Sequence, residues 1–110
     1  MFLCDLDDLP KHGTREFTLN RQDLFMLRQN DQIWAYLNYC PHMGITLNWV
    51  VDQFLDTSGQ YIQCANHGAL FRFEDGLCIA GPCIGQYLKP ISYKLIDNKI
   101  DIILPIDNPA

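Results

Sequence analysis

Four side chains in this sequence have the types and spacing to bind metal. Cys40-Pro41-His42 is followed, after 21 residues, by Cys64-Ala65-Asn66-His67, and Gly44 and Gly68 each stand close behind a histidine. Each half offers one thiolate and one imidazole. Two chemistries use such a set: tetrahedral zinc takes two Cys and two His, and a two-iron, two-sulfide cluster takes two Cys on one iron and two His on the other. Zinc fingers usually group a cysteine pair in one half and a histidine pair in the other. Here the types alternate, which favours the cluster.

These motifs resemble the Rieske iron–sulfur family, whose signature is Cys-x-His followed later by Cys-x-x-His-Gly. The resemblance runs on through Ala69-Leu70-Phe71, Asp75-Gly76 and Gly81-Pro82 and covers most of the chain. It implies that Cys40, His42, Cys64 and His67 hold one Rieske [2Fe-2S] cluster, with residues 81–85 as a loop lying over it. It also implies an all-β fold of antiparallel sheets, sandwich or barrel, in a single domain over 1–110 with a small inserted cluster-binding subdomain at about 39–85.

The implied role is that of a Rieske-type ferredoxin, a soluble one-electron carrier between a flavin-dependent reductase and a terminal oxygenase or related enzyme. One alternative is a small Rieske-type subunit of a larger reductase such as assimilatory nitrite reductase. Another, of a different class, is a zinc-stabilised interaction module. A Rieske oxygenase needs a second iron held by two His and a carboxylate. Three histidines, two of them in the cluster, leave only His12, so no catalytic subunit is expected.

Neutral imidazoles in place of two thiolates leave the oxidised cluster with less negative charge, so an added electron costs less. Rieske centres therefore sit above plant-type ferredoxins, which lie near roughly −400 mV. Hydrogen bonds to the sulfurs raise the potential further. In high-potential relatives a Ser and a Tyr follow the last ligand by two and four residues; the matching positions here are Ala69 and Phe71, which donate nothing. The disulfide that braces the loops in those relatives matches Ile45 and Asn66, so it is missing too. The expected potential is low, on the order of −150 mV.

The elements that must position these residues read as short strands between turns. Residues 1–13 form a turn-rich entry with His12 in an exposed loop. Residues 15–19 and 24–29 alternate as a hairpin, and 32–39 is a strand with Ile33, Ala35, Leu37 and Tyr39 on one face and Trp34 and Tyr36 packing on the other. Residues 48–56 fit one helical turn or a loop, and Trp49 is read as a packing residue, with cover of the cluster or contact with a partner as the alternative. Residues 57–60 turn, 61–63 and 69–73 are strands flanking the second ligand pair, 77–80 is a short strand, and 91–96 and 99–104 form a hairpin around Asp97-Asn98.

A chain of 110 residues with 48% hydrophobic and 19% charged residues has globular composition. Its net charge of −5 opposes nucleic acid and anionic membranes and favours a basic protein partner. The acidic N-terminus is unlike a secretory signal and no apolar run reaches membrane-spanning length, so a cytoplasmic protein is expected. Of five cysteines, Cys78 and Cys83 read as buried thiols beneath the cluster, with a disulfide between them as the alternative, and Cys4 has no assigned role. No charged residue occurs over 32–51, 57–71 or 76–88, so Met43, Ile45, Ala69, Pro82 and Ile84 could form an apolar docking rim, or simply pack together.

Overall fold

A two-residue turn at Asn20 (φ 51°) and Arg21 (φ 65°) joins strands β2 (His12–Leu19) and β3 (Gln22–Gln29). Positive φ at both positions matches the right-handed twist of the strands it links. β3 then pairs with β4 (Gln32–Leu37), giving an antiparallel sheet in the order β2-β3-β4, with Leu24 opposite Leu37 and Leu27 opposite Trp34. This computed structural model describes residues 1–41, 45–66 and 68–104.

Alternation along β3 and β4 sends successive side chains to opposite faces. Both faces are covered. Leu24 and Met26 with Ile33, Ala35 and Leu37 enter one core, and Phe25 and Leu27 with Tyr36 enter another, with Trp34 packed against it. The first core is closed by a sheet in the order β1-β9-β8, made of β1 (Phe2–Asp5), β8 (Tyr93–Ile96) and β9 (Lys99–Ile102). It contributes Cys4, Ile100 and Ile102. The second core is closed by short strands β5 (Ile62–Gln63), β6 (Leu70–Phe71) and β7 (Cys78–Ala80). Ile62, Phe71 and Cys78 come from these strands, and Phe54 stacks on Phe25 with ring centroids 4.2 Å apart. The all-β antiparallel fold agrees with the expectation from sequence.

Two local expectations change and one open choice is decided. Residues 2–5 form a strand rather than part of a turn-rich entry, because β9, at the other end of the chain, supplies its partner. His12 is exposed but begins β2, where its Nδ1 lies 3.1 Å from Gln29 Oε1 on the paired strand. Of the two readings for residues 48–56, a helical turn or a loop, the structure shows the loop. Asp52 takes φ 65° there, its carboxylate accepts the Glu16 N–H at 2.9 Å, and its carbonyl accepts the Thr14 hydroxyl at 2.6 Å. The carboxylate thus pairs the Glu16 N–H on the outer edge of β2, and the Thr14 side chain ties the loop to the same strand. The edge of β4 is met by residues 89–91, through Leu37 N–H to the Lys89 carbonyl and Ile91 N–H to the Ala35 carbonyl. Asp97 (φ 53°) and Asn98 (φ 63°) make the expected hairpin turn between β8 and β9.

Candidate metal centre

Cys40 leaves the end of β4, and Cys64 follows β5 directly. Both are fully buried in the second core. Their loops are closed by backbone bonds, Cys40 N–H to the Ile45 carbonyl at 2.7 Å and Cys64 N–H to the Ala69 carbonyl at 2.9 Å. Gly68 N–H returns to the Cys64 carbonyl at 2.8 Å, and the positive φ of Gly68 (69°) suits that tight return. His42, Met43, Gly44 and His67 lie outside the described residues, as does the tail from 105 to 110.

The two loops are tied to each other and to the sheet. Ala65 N–H donates to the Leu47 carbonyl at 2.7 Å, and Leu47 N–H donates to Asn38 Oδ1 at 2.7 Å. Asn38 is buried just past β4, and its amide also reaches Asn48 Oδ1 at 2.9 Å. Its two polar side-chain atoms are thus paired, as a buried amide requires. Across the loops Asn66 Nδ2 donates to the Thr46 carbonyl at 3.0 Å. Asn66, which the family resemblance matches to a position of the missing disulfide, thus ties the loops by a hydrogen bond. Neither Asn38 nor Asn66 was singled out from sequence as a brace, because an asparagine's long-range partner leaves no local signal.

Residues 81–85 pack against the second loop. A Cβ at Gly81 (φ 97°) would come within 2.7 Å of Ala69 Cα, so backbone meets backbone there and only glycine fits. Cys83 Sγ lies 3.1 Å from Cys78 Sγ, and the Cys78 thiol donates to the Ala80 carbonyl at 3.2 Å. All five cysteines are unbridged. Burial pushes the Cys83 thiol up to about 12; the hydrogen bond with Cys78 adds to this, as do the neighbouring sulfurs of Cys78, Cys40 and Cys64. Four sulfurs therefore share one buried neighbourhood, in which burial favours the protonated form of the Cys83 thiol.

Not every expected rim residue is at the surface. Ile45 and Ile84 are exposed, as is Pro82, whereas Ala69 is fully buried beneath Gly81. Trp49, read as a packing residue, is 73% exposed and instead donates its indole N–H to Asn66 Oδ1 at 2.7 Å. Ala69 and the buried Phe71 offer no side-chain donor, as expected.

Two buried thiols on loops tied together, each within three residues of a histidine in sequence, suit a metal group that is held by sulfur on one side and nitrogen on the other. Comparison with solved structures gives the same fold. The ferredoxin of carbazole 1,9a-dioxygenase from Nocardioides aromaticivorans IC177 superposes with a TM-score of 0.74 at 20% identity, over 93% of this chain and 94% of that one. The terminal oxygenase of carbazole 1,9a-dioxygenase from Novosphingobium sp. KA1 superposes with a TM-score of 0.80 at 18% identity, over 100% of this chain and 31% of that one. In sequence, cholesterol 7-desaturase of Caenorhabditis elegans is 30% identical over 81 residues, 73% of this chain. The chain spans 18% of that relative's length. The sequence profile of the Rieske [2Fe-2S] domain matches residues 1–98, and the chain belongs to that family, whose cofactor is a two-iron, two-sulfide cluster.

Proposed function

We propose that this protein is a one-electron carrier whose cluster is held by Cys40, His42, Cys64 and His67 in a single domain spanning the chain. The observation that carries the reading is the burial of Cys40 and Cys64 side by side with the Cys78–Cys83 pair, on loops cross-tied from Leu47 to Ala65. When bound, the cluster supplies a site that accepts and releases one electron. The residues around it exclude water and fix the sulfurs. Ile62, Phe71 and Leu47 close the site from within, and the Gly81 backbone seals it against Ala69.

Within the same core, burial raises the Tyr36 hydroxyl, which donates to the Phe73 carbonyl. The absence of side-chain donors at Ala69 and Phe71 supports a potential at the low end of the Rieske range, on the order of −150 mV. Electrons would come from a flavin-dependent reductase and pass to a terminal oxygenase or related enzyme, in the cytoplasm. Support for that pairing comes from the full-length superposition on a dioxygenase ferredoxin, and from the complex in which an oxygenase and its ferredoxin were solved together. No helix among the described residues is long and apolar enough to cross a membrane.

A second reading has its own support. The desaturase relative is a much longer protein, and the solved oxygenases contain this fold as a part. Under that reading the domain receives electrons within a larger enzyme. An anaerobic redox titration followed by EPR tests the electron-transfer function: a Rieske signal appearing at negative potential supports it, and a colourless protein holding zinc rejects it. The mass of the native protein in its source organism then separates a free carrier from a domain of a larger enzyme.

A further inference from the structure

Trp49 and Asn66 belong to different loops and neither is a ligand in the proposed set. The Asn66 amide lies between three groups. Its oxygen accepts the Trp49 indole N–H at 2.7 Å, its nitrogen donates to the Thr46 carbonyl at 3.0 Å, and the same nitrogen stands 3.8 Å from Cys64 Sγ. An asparagine side chain can be placed either way round, and its orientation is set by its hydrogen bonds. An indole N–H can only donate. Trp49 therefore selects the rotamer in which the oxygen faces outward and the NH2 group faces Thr46 and the sulfur.

The indole ring obtains little packing for being held there, since it is 73% exposed and the neighbouring Val50 and Val51 are exposed as well. Its one specific contact among the described residues is the bond to Asn66. The segment that carries it is itself anchored, through Asp52 to β2 and through Asn48 to Glu16 at 3.1 Å. A large aromatic left on the surface beside an anchored loop, with its N–H spent on one amide, is placed for that amide.

We propose that Trp49 and Asn66 form a latch that closes the Cys40 loop on the Cys64 loop and aims an amide hydrogen at the Cys64 sulfur. Both are positioning residues. Trp49 acts only through Asn66, and Asn66 acts on cluster retention through Thr46 and on the potential through Cys64. The inference rests on the ligand set proposed above. A hydrogen bond to a ligating sulfur stabilises the reduced state, so losing it makes the potential more negative. Partners that orient metal ligands typically cost 10–100-fold in metal affinity when removed.

The test compares the cluster-loaded wild type with Asn66→Ala and with Trp49→Phe, which keeps the ring and removes the N–H. Two quantities are read: the rate at which a ferrous chelator strips the cluster, and the midpoint potential by EPR. Asn66→Ala should release its cluster about 10-fold faster or more and have a more negative midpoint. Trp49→Phe should move both in the same direction by less. Wild-type values in both variants would overturn the latch, and faster release at an unchanged midpoint would overturn the contact with Cys64. Trp49→Phe lies on the surface, so it keeps the test informative if Asn66→Ala does not fold. A wild type without a Rieske signal would reject the ligand set instead. The latch is then judged by amide hydrogen exchange at Leu47 and Ala65 in the metal-free protein, which Asn66→Ala should accelerate and which unchanged exchange would contradict.

Discussion

The two faces of the β2-β3-β4 sheet carry different kinds of core. On the β1-β9-β8 side the filling is mostly aliphatic, with Leu24, Met26, Ile33, Leu37, Ile91, Ile100 and Ile102, and the covering strands have four residues each. On the cluster side it is aromatic and sulfur-rich, with Phe25, Tyr36, Phe54, Phe71 and Phe73 around Cys40, Cys64, Cys78 and Cys83. The covering strands there have only two or three residues, and side chains such as Asn38 and Asn66 do the work that ladders do opposite. Regular pairing supports itself wherever a hydrophobic face exists. The loops proposed to surround the cluster are held instead by individual hydrogen bonds.

Losing the metal should therefore separate the two sides. Cys64→Ser is expected to abolish the Rieske signal and, in hydrogen exchange, to expose β5–β7 while β1, β3 and β9 stay protected. Uniform loss of protection would erase the distinction. Next in size, Phe54→Ala should cost about 3–5 kcal/mol and Leu24→Ala about 2–5 kcal/mol in chemical denaturation. The costs overlap, but only Phe54→Ala should hasten cluster loss, since Phe54 stacks on Phe25 in the sulfur-containing core. Tyr36→Phe removes the donor to the buried Phe73 carbonyl and should cost about 1–3 kcal/mol, read as a lower denaturation midpoint.

The smallest effect concerns Cys4, in the aliphatic core. Burial, with a contribution from Asp8, raises its thiol from 9.0 to about 11. The folded state thus favours the protonated thiol. The stability this gives is fully present below pH 9 and is lost as the pH rises toward 11. Denaturation midpoints measured across that window should fall further in the wild type than in Cys4→Ala. Cys4 should also resist alkylation of the native protein at neutral pH.

What could be read from the sequence was what neighbouring residues determine. The β8–β9 hairpin follows from alternation on either side of Asp97-Asn98, and so does the β2–β3 hairpin, although its turn was expected over residues 20–23 and the strand resumes at Gln22; the two faces of β4 follow from its period of two. The Cys-x-His and Cys-x-x-His pairs are equally local, and Cys40 and Cys64 do come into one buried neighbourhood. Long-range features stayed hidden. β1 pairs with a strand almost a whole chain away. The choice between helical turn and loop for residues 48–56 stayed open because the groups of β2 that bind Asp52 are distant in sequence. Trp49 was read as packing because an aromatic normally repays burial, and nothing near it in sequence announces Asn66. For Ala69 the choice between rim and packing stayed open because its close approach to Gly81 is made in space alone.

The shared central sheet also determines where the gene can change length. Neighbouring residues of β3 serve different cores, so deleting or inserting one codon there would turn Leu24 and Phe25 to each other's side and spoil both halves at once. Length variation in homologous genes should therefore avoid β3 and β4 and gather in exposed turns such as residues 57–60. Added residues there would lie outside both cores.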